Sequence, residues 1–361
     1  MRLLIAGGGT GGHLYPGIAV AHSWMGEGED FQVLFIGTAR GIESKVLPEE
    51  DLPLEIISAG GIMRRSFPQK ISAFAKFFWG LVQSLRIVGR FRPHVVLGVG
   101  GYASAPAVVA AWMLRRPVVL LEQNVVPGLT NRFLFRLARR VAVVLPGAAG
   151  YFQSEKVVET GMPLRAEFAA PFERDASSWE GQLRILVFGG SQGAEAINQT
   201  VVEALSLLGE ALKEMKFVHQ TGEVDLESVR AAYARVNAQA EVESYLFDMP
   251  ARYRWAHLAV ARAGAMTVGE LTAAGLPAIL IPLPSAAHGH QQANARLLED
   301  RECAWVISQS DLTGEILADL WRKAQRNRSV LAKMSLHSHR LARENSSKTV
   351  VMLCRQVARA A

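Results

Sequence analysis

Cysteine is nearly absent. The 361 residues hold two, Cys303 and Cys354, far apart and without metal-ligand spacing. That excludes a disulfide framework, gives no support to a zinc site, and fits a reducing compartment. Long hydrophobic runs are missing too: none approaches the roughly 18 to 20 residues of a spanning helix. At the N-terminus one Arg precedes four apolar residues before glycines intervene, short of the about 7 to 15 of a secretory h-region. Neither a signal peptide nor a membrane anchor is expected. Acidic residues are scarce in one place, since Glu122 is the only one between Ile56 and Ser154. The same stretch carries Arg64, Arg65, Lys70, Lys76, Arg86, Arg90, Arg92, Arg115, Arg116, Arg132, Arg136, Arg139 and Arg140. A half-domain so basic suits nucleic acid, an anionic membrane surface or a phosphorylated substrate.

What is present reads as a globular enzyme of about two domains, half of its residues apolar and a fifth charged. The chain starts twice in the same way. "RLLIAGGGTGGHLYPGIAVA" at the front and "RILVFGGSQGAEAINQTVVEAL" from residue 184 are each an apolar strand, a glycine turn and a helical pattern. Further strands are expected at 31–37, 94–100, 117–124 and 140–147, and in the second half at 216–222, 241–247, 258–264 and 277–284. Helical segments separate them, which predicts an α/β fold of two Rossmann-like, doubly wound parallel sheets. The polar, proline-bearing stretch 161–182 reads as the linker.

The first loop, "IAGGGTGGHLYPG", has glycine at five of the six positions 7–12. Gly7, Gly9 and Gly12 satisfy the G-x-G-x-x-G spacing of a dinucleotide site. That site also needs an acid at the end of the second strand, and here Gly37 and Thr38 stand in its place, so a nicotinamide or flavin cofactor is rejected. What remains is bare backbone at a helix start, where free N–H groups and the helix dipole favour an anion. His13 adjoins it. "GVGGYASAP" (98–106), "GGSQGA" (189–194) and "RAGAMTVGEL" (262–271) repeat the pattern. The last places Glu270 one turn into a helix, where a carboxylate can accept both hydroxyls of a ribose.

The phrases "GGGTGGHLYPG", "GVGGYASAP", "LEQNVVPGLTNR", "GMPLR", "GGSQGAEAIN", "RAGAMTVGEL" and "HGHQQANA" occur in that order across residues 7–295. Together they closely resemble the MurG family of peptidoglycan glycosyltransferases. The resemblance implies a GT-B fold, two Rossmann-like domains facing across a cleft: residues 1–161, joined by a C-terminal helix at about 339–361, and residues 162–338. It implies UDP-N-acetylglucosamine (UDP-GlcNAc) as donor and undecaprenyl-pyrophosphoryl-N-acetylmuramoyl-pentapeptide (lipid I) as acceptor. The acceptor C4 hydroxyl would displace UDP with inversion, giving a β-1,4 link and lipid II, at the cytoplasmic face of the membrane.

By position the resemblance assigns Thr10, Gly11, Gly12 and His13 to a loop closing on the donor, Asn124 to the donor sugar and Arg165 to the nucleotide. It assigns Ser191 to the diphosphate, the Leu246 backbone to uracil, Ala265, Met266, Thr267, Val268, Gly269 and Glu270 to the donor turn and helix, and Gln291 with Gln292 to the sugar. The sequence departs from the family at Leu121, where some members have His, and at Gly269 and Ala263, where serines are frequent.

No D-x-D pair occurs, so diphosphate stabilisation is expected from helix-start N–H groups and Arg165, with no metal or cofactor. For the base that deprotonates the acceptor hydroxyl, His13 is the first candidate, its ordinary pKa near 6.5 suiting neutral pH, and Glu122 the second. The stretch 66–93 mixes Phe74, Phe77, Phe78, Trp79, Leu81 and Val82 with Lys70, Lys76, Arg86, Arg90 and Arg92. It reads either as core or as an interfacial helix against anionic lipid. Two other functions compete: a UDP-GlcNAc 2-epimerase of the same fold, which has no need of a lipid-facing surface, and a nucleic-acid-binding protein, for which no recognised module is present.

Overall fold

Apolar runs such as "VVLGVG" and "VVLLE" become strands buried at every position, as parallel strands covered by helices on both faces must be. A computed structural model of the chain describes residues 1–60, 67–152, 154–168, 179–190 and 193–360, with backbone alone for 67–73 and 154. It divides into two units, Met1–Ala166 with Arg343–Ala361, and Glu167–Ala342. These boundaries lie about four residues beyond those expected from the sequence.

The first unit runs β1 (Arg2–Gly7), α1 (Gly11–Met25), β2 (Gln32–Gly37), α2 (Glu43–Glu49), β3 (Leu54–Ile56), α3 (Phe67–Phe91), β4 (Val95–Gly100), α4 (Ser104–Met113), β5 (Val118–Glu122), α5 (Leu129–Leu134), β6 (Arg140–Val143) and β7 (Val157–Glu159). The second runs β8 (Leu183–Phe188), α6 (Glu195–Leu207), β9 (Met215–Gln220), α7 (Leu226–Arg235), β10 (Gln239–Glu243), α8 (Met249–Trp255), β11 (Leu258–Ala261), α9 (Ala265–Ala273), β12 (Ala278–Leu280), α10 (His290–Asp300), β13 (Ala304–Val306), α11 (Gly314–Arg326) and α12 (Arg328–Leu341). The last helix, α13 (Ser346–Arg359), belongs to the first unit.

Both sheets are parallel, ordered β3-β2-β1-β4-β5-β6-β7 and β10-β9-β8-β11-β12-β13. The strand order reverses between β1 and β4 in one and between β8 and β11 in the other. Ligands of such sheets bind beyond the carboxyl ends of the strands at that reversal. Topology therefore sets the glycine turn after β1 beside the one after β4, and the turn after β8 beside the one after β11. The register of β1 on β4 slips there, from Ala6↔Gly98 to Gly7↔Gly100, skipping Val99.

Three edge strands of three residues each, β3, β7 and β13, were not legible as apolar runs. Other strands end earlier than their sequence runs suggest. β10 stops at Glu243 rather than 247, because the Leu246 amide donates to the Gln220 side chain instead of a ladder (2.9 Å). The last helix begins at Ser346 rather than near 339. Ahead of it α12 ends, Ala342 is extended and Asn345 is left-handed at φ 56°. The apolar face of α13, Val350, Val351, Leu353, Cys354 and Val357, packs on α1 and β4. Arg355 fixes the contact through an ion pair with Glu27 and a place over the Phe31 ring.

In the second unit the core centres on Trp321, Phe217 and Tyr233, with Phe217 centroids 5.3 and 5.4 Å from the other two rings. In the first unit α3 settles which of its residues are core. Gly80, Ser84, Ile87 and Val88 face inward, at helical spacing, and a Cβ at Gly80 would stand 2.1 Å from the Ser58 carbonyl oxygen. Phe74, Phe78, Trp79 and Val82 face outward, 60%, 49%, 55% and 39% exposed. Among the described residues no helix is long and apolar enough to cross a membrane.

Candidate active site

In the first unit the site is built on backbone. Gly7 has φ +147°, and a Cβ there would lie 2.3 Å from the Gly100 carbonyl oxygen; only glycine lets these two strand ends approach so closely. Gly8, at φ +141°, lies against the carboxylate of Glu43. This acid from α2 is fully buried and accepts from the Gly9 amide (2.7 Å), the Thr38 amide (2.8 Å) and the Thr38 hydroxyl (2.9 Å). The acid that a dinucleotide fold presents to a ribose is thus displaced to the next helix and turned inward, where it anchors the loop.

Thr10 is the N-cap of α1, with no side-chain cap bond, and its carbonyl accepts from His13 (3.2 Å) and Leu14 (3.1 Å). Gly11 and Gly12 open the helix with N–H groups pointing out of its first turn. The His13 ring rests on Gly100, where a Cβ would fall 3.0 Å from its Cε1 and Nδ1, and Nδ1 is 3.3 Å from Oε1 of Gln123. The Arg165 guanidinium lies 6.0 Å from the Tyr15 ring centroid, within the first unit rather than the second.

Glu122 ends β5 fully buried. Its Oε1 accepts from the Asn124 amide (3.0 Å), and its Oε2 from the Gly128 amide (3.1 Å) and Asn131 Nδ2 (2.9 Å). Burial pushes its pKa up, against these hydrogen bonds. Both oxygens are thereby committed to holding the loop 123–131, which carries Asn124. The geometry gives Glu122 a structural part in place of the base considered for it.

In the second unit Ser191, with Gln192, lies outside the described residues. Around them Gly193, at φ +76°, abuts the Thr221 carbonyl oxygen, which a Cβ would meet at 1.9 Å. Gln220 ties the turn to the next loop, its Nε2 donating to the Gly190 carbonyl (2.8 Å) and its Oε1 accepting from the Leu246 amide (2.9 Å). The Leu246 amide is thereby engaged within the protein. Gly264 caps α9, which begins Ala265, Met266, Thr267, with Val268 and Gly269 buried beneath. Glu270 follows, half-buried, its Oε2 accepting from the buried Tyr253 hydroxyl (2.9 Å). Asn294 Nδ2 pins the turn through the Ala263 carbonyl (3.1 Å). Gln291 Oε1 accepts from the Leu283 amide (2.9 Å), and Gln292 is half-buried beside it.

Among the described residues, the expected residues of each unit lie in turns and helix starts that follow the strands of that unit's own sheet. Sequence reasoning passed over Glu43, Gln123, Gln220 and Tyr253, the groups that hold those residues in place. Gln123 lies inside the stretch "LEQNVVPGLTNR". Glu43, Gln220 and Tyr253 carried no local signal.

Comparison with known proteins identifies the family. Residues 3–143 match the glycosyltransferase family 28 N-terminal domain and residues 184–350 the family 28 C-terminal domain. A Geobacter sulfurreducens protein is 43% identical over 97% of this chain and 97% of its own. It is named UDP-N-acetylglucosamine--N-acetylmuramyl-(pentapeptide) pyrophosphoryl-undecaprenol N-acetylglucosamine transferase. The crystal structure of Acinetobacter baumannii MurG superposes with a TM-score of 0.80 at 32% identity, covering 98% of this chain and 99% of that one.

The chain belongs to the MurG family.

A UDP-GlcNAc 2-epimerase from Neisseria meningitidis also superposes, at TM-score 0.66 over 99% of this chain and 100% of its own. At 15% identity it shares only the fold.

Proposed function

We propose that this chain transfers N-acetylglucosamine from UDP-GlcNAc to the C4 hydroxyl of the muramoyl sugar of lipid I, with inversion, giving lipid II. The observation that carries the reading is the 43% identity, over nearly the whole of both chains, with the Geobacter transferase of that name. The second unit binds the donor. Glu270, presented by Tyr253, takes the ribose hydroxyls, the Leu246 carbonyl takes the uracil N3–H, and the α9 start with Met266 and Thr267, together with Ser191, takes the diphosphate. Gln291 and Gln292 face the sugar. Amides aimed at the diphosphate stabilise the charge that grows as UDP leaves, the electrostatic contribution on which such a transfer depends most.

The first unit handles the acceptor. His13 removes the C4 hydroxyl proton, while Thr10, Gly11, Gly12, Asn124 and Arg165 close on the donor. Glu122 holds the Asn124 loop. A lipid-tailed acceptor brings the enzyme to a bilayer surface. Phe74, Phe78, Trp79 and Val82 on α3, together with exposed Trp112, Met113 and Leu114 at the end of α4 and the cations Lys76, Arg86, Arg90 and Arg115, form a face suited to anionic lipid at the cytoplasmic leaflet. Incubation with radiolabelled UDP-GlcNAc and a short-chain lipid I analogue is expected to yield the disaccharide product. Formation of the manno epimer from UDP-GlcNAc alone, with no disaccharide, would replace the transferase reading by the epimerase one.

A further inference from the structure

Val99 falls in the register slip between β1 and β4, where a bulged residue leaves the ladder. Its carbonyl instead accepts from Gln123 Nε2 at 2.9 Å. A carbonyl can only accept, so the amide nitrogen of buried Gln123 must face Val99 and its Oε1 must face His13. An amide oxygen also only accepts. The proton between Oε1 and His13 Nδ1, 3.3 Å apart, therefore belongs to the histidine, and the neutral ring carries its lone pair at Nε2. The backbone of Gly100 under the ring and the Thr10 carbonyl on the His13 amide leave the imidazole little freedom to turn.

We propose that Gln123 is a positioning residue that fixes His13 as the Nδ1–H tautomer, making Nε2 the atom that takes the acceptor's proton. Because the partner is a neutral amide, the tautomer is set without the attraction by which a carboxylate would stabilise imidazolium and raise the pKa. This rests on His13 being the base.

The test is nitrogen NMR on full-length protein labelled at histidine, with His13→Gln to assign the signal. Wild type is expected to show a protonated Nδ1 and an unprotonated Nε2 above the ring's pKa. In Gln123→Leu the Nδ1–H form is expected to give way to Nε2–H, and kcat to fall about tenfold or more with the KM for UDP-GlcNAc unchanged. Gln123→Glu is expected to keep the Nδ1–H form, raise the His13 midpoint by about one unit or more, and move the acid limb of kcat to higher pH by the same amount, since a base must be deprotonated to act. An Nε2–H wild-type ring, or a tautomer indifferent to Gln123→Leu, overturns the proposal; the wild-type spectrum decides even if the leucine variant does not fold. A midpoint that moves in Gln123→Glu while the acid limb of kcat stays put leaves the tautomer assignment standing and removes His13 as the base.

Discussion

Replacing Glu43 by Gln should loosen the first glycine loop without touching any group that meets substrate. The wild-type carboxylate is buried and accepts three hydrogen bonds, from the Gly9 amide, the Thr38 amide and the Thr38 hydroxyl. The substitution preserves shape but puts an NH2 group opposite one of two backbone N–H groups, which then has no acceptor. A buried donor left unmet costs about 1–3 kcal/mol, and the remaining bonds lose their charge assistance. Gly9 is itself exposed, so water can partly satisfy its amide, which favours a value near 2 kcal/mol. For a unit of this size that lowers its melting temperature by roughly 4–8 °C. Because the anchored amide is one residue before Thr10, kcat/KM in the lipid I analogue assay should fall about tenfold, equivalent to about 1.4 kcal/mol. Calorimetry and steady-state kinetics on the same preparation suffice. A melting temperature within a degree of wild type, with kcat/KM within twofold, would refute the anchoring role.

Tyr253→Phe removes the hydroxyl that donates to Glu270 and is expected to raise the dissociation constant for UDP several-fold by calorimetry; unchanged UDP affinity would detach Tyr253 from the donor site. Phe78→Ala with Trp79→Ala should lower recovery on anionic liposomes in flotation several-fold, while turnover with a soluble short-chain acceptor stays near wild type; equal recovery would argue against α3 as the lipid face. His219 is buried between Asn198 and Tyr233, and burial lowers its pKa to about 3. Its unfolded pKa near 6.5 lies above that, so the unfolded chain binds the extra proton in between. The stability this group contributes is whole above about pH 6.5 and is lost as pH falls toward 3, by at most about 1.4 kcal/mol per pH unit. His219→Gln should flatten the acid slope measured by denaturant titration between pH 7 and pH 4.5, and identical slopes would contradict the assignment.

Local chemistry made much of this protein readable before any coordinates. An apolar run, a glycine turn and a helical period each reflect the burial and backbone freedom of neighbouring residues. The repeated strand–turn–helix starts and the missing acid at Thr38 were therefore visible as text. Strand ends were less so: β5 and β10 stop where the side chains of Glu122 and Gln220 take amides that the apolar pattern assigns to a ladder.

The sequence alone determined the two parallel sheets, the glycine loops and the residue types available to a donor. Only tertiary structure decided which groups hold them. Glu43 meets Gly9 across 34 residues and Gln123 meets His13 across 110. No periodicity records such pairings, because the parallel strand order brings together turns far apart along the chain, the one after β2 beside β1 and the one after β5 just beyond the reversal. The apolar residues of α3 carry the same lesson. Their types fit core or surface equally, and the close approach of Gly80 to the Ser58 carbonyl settles which side of the helix faces out.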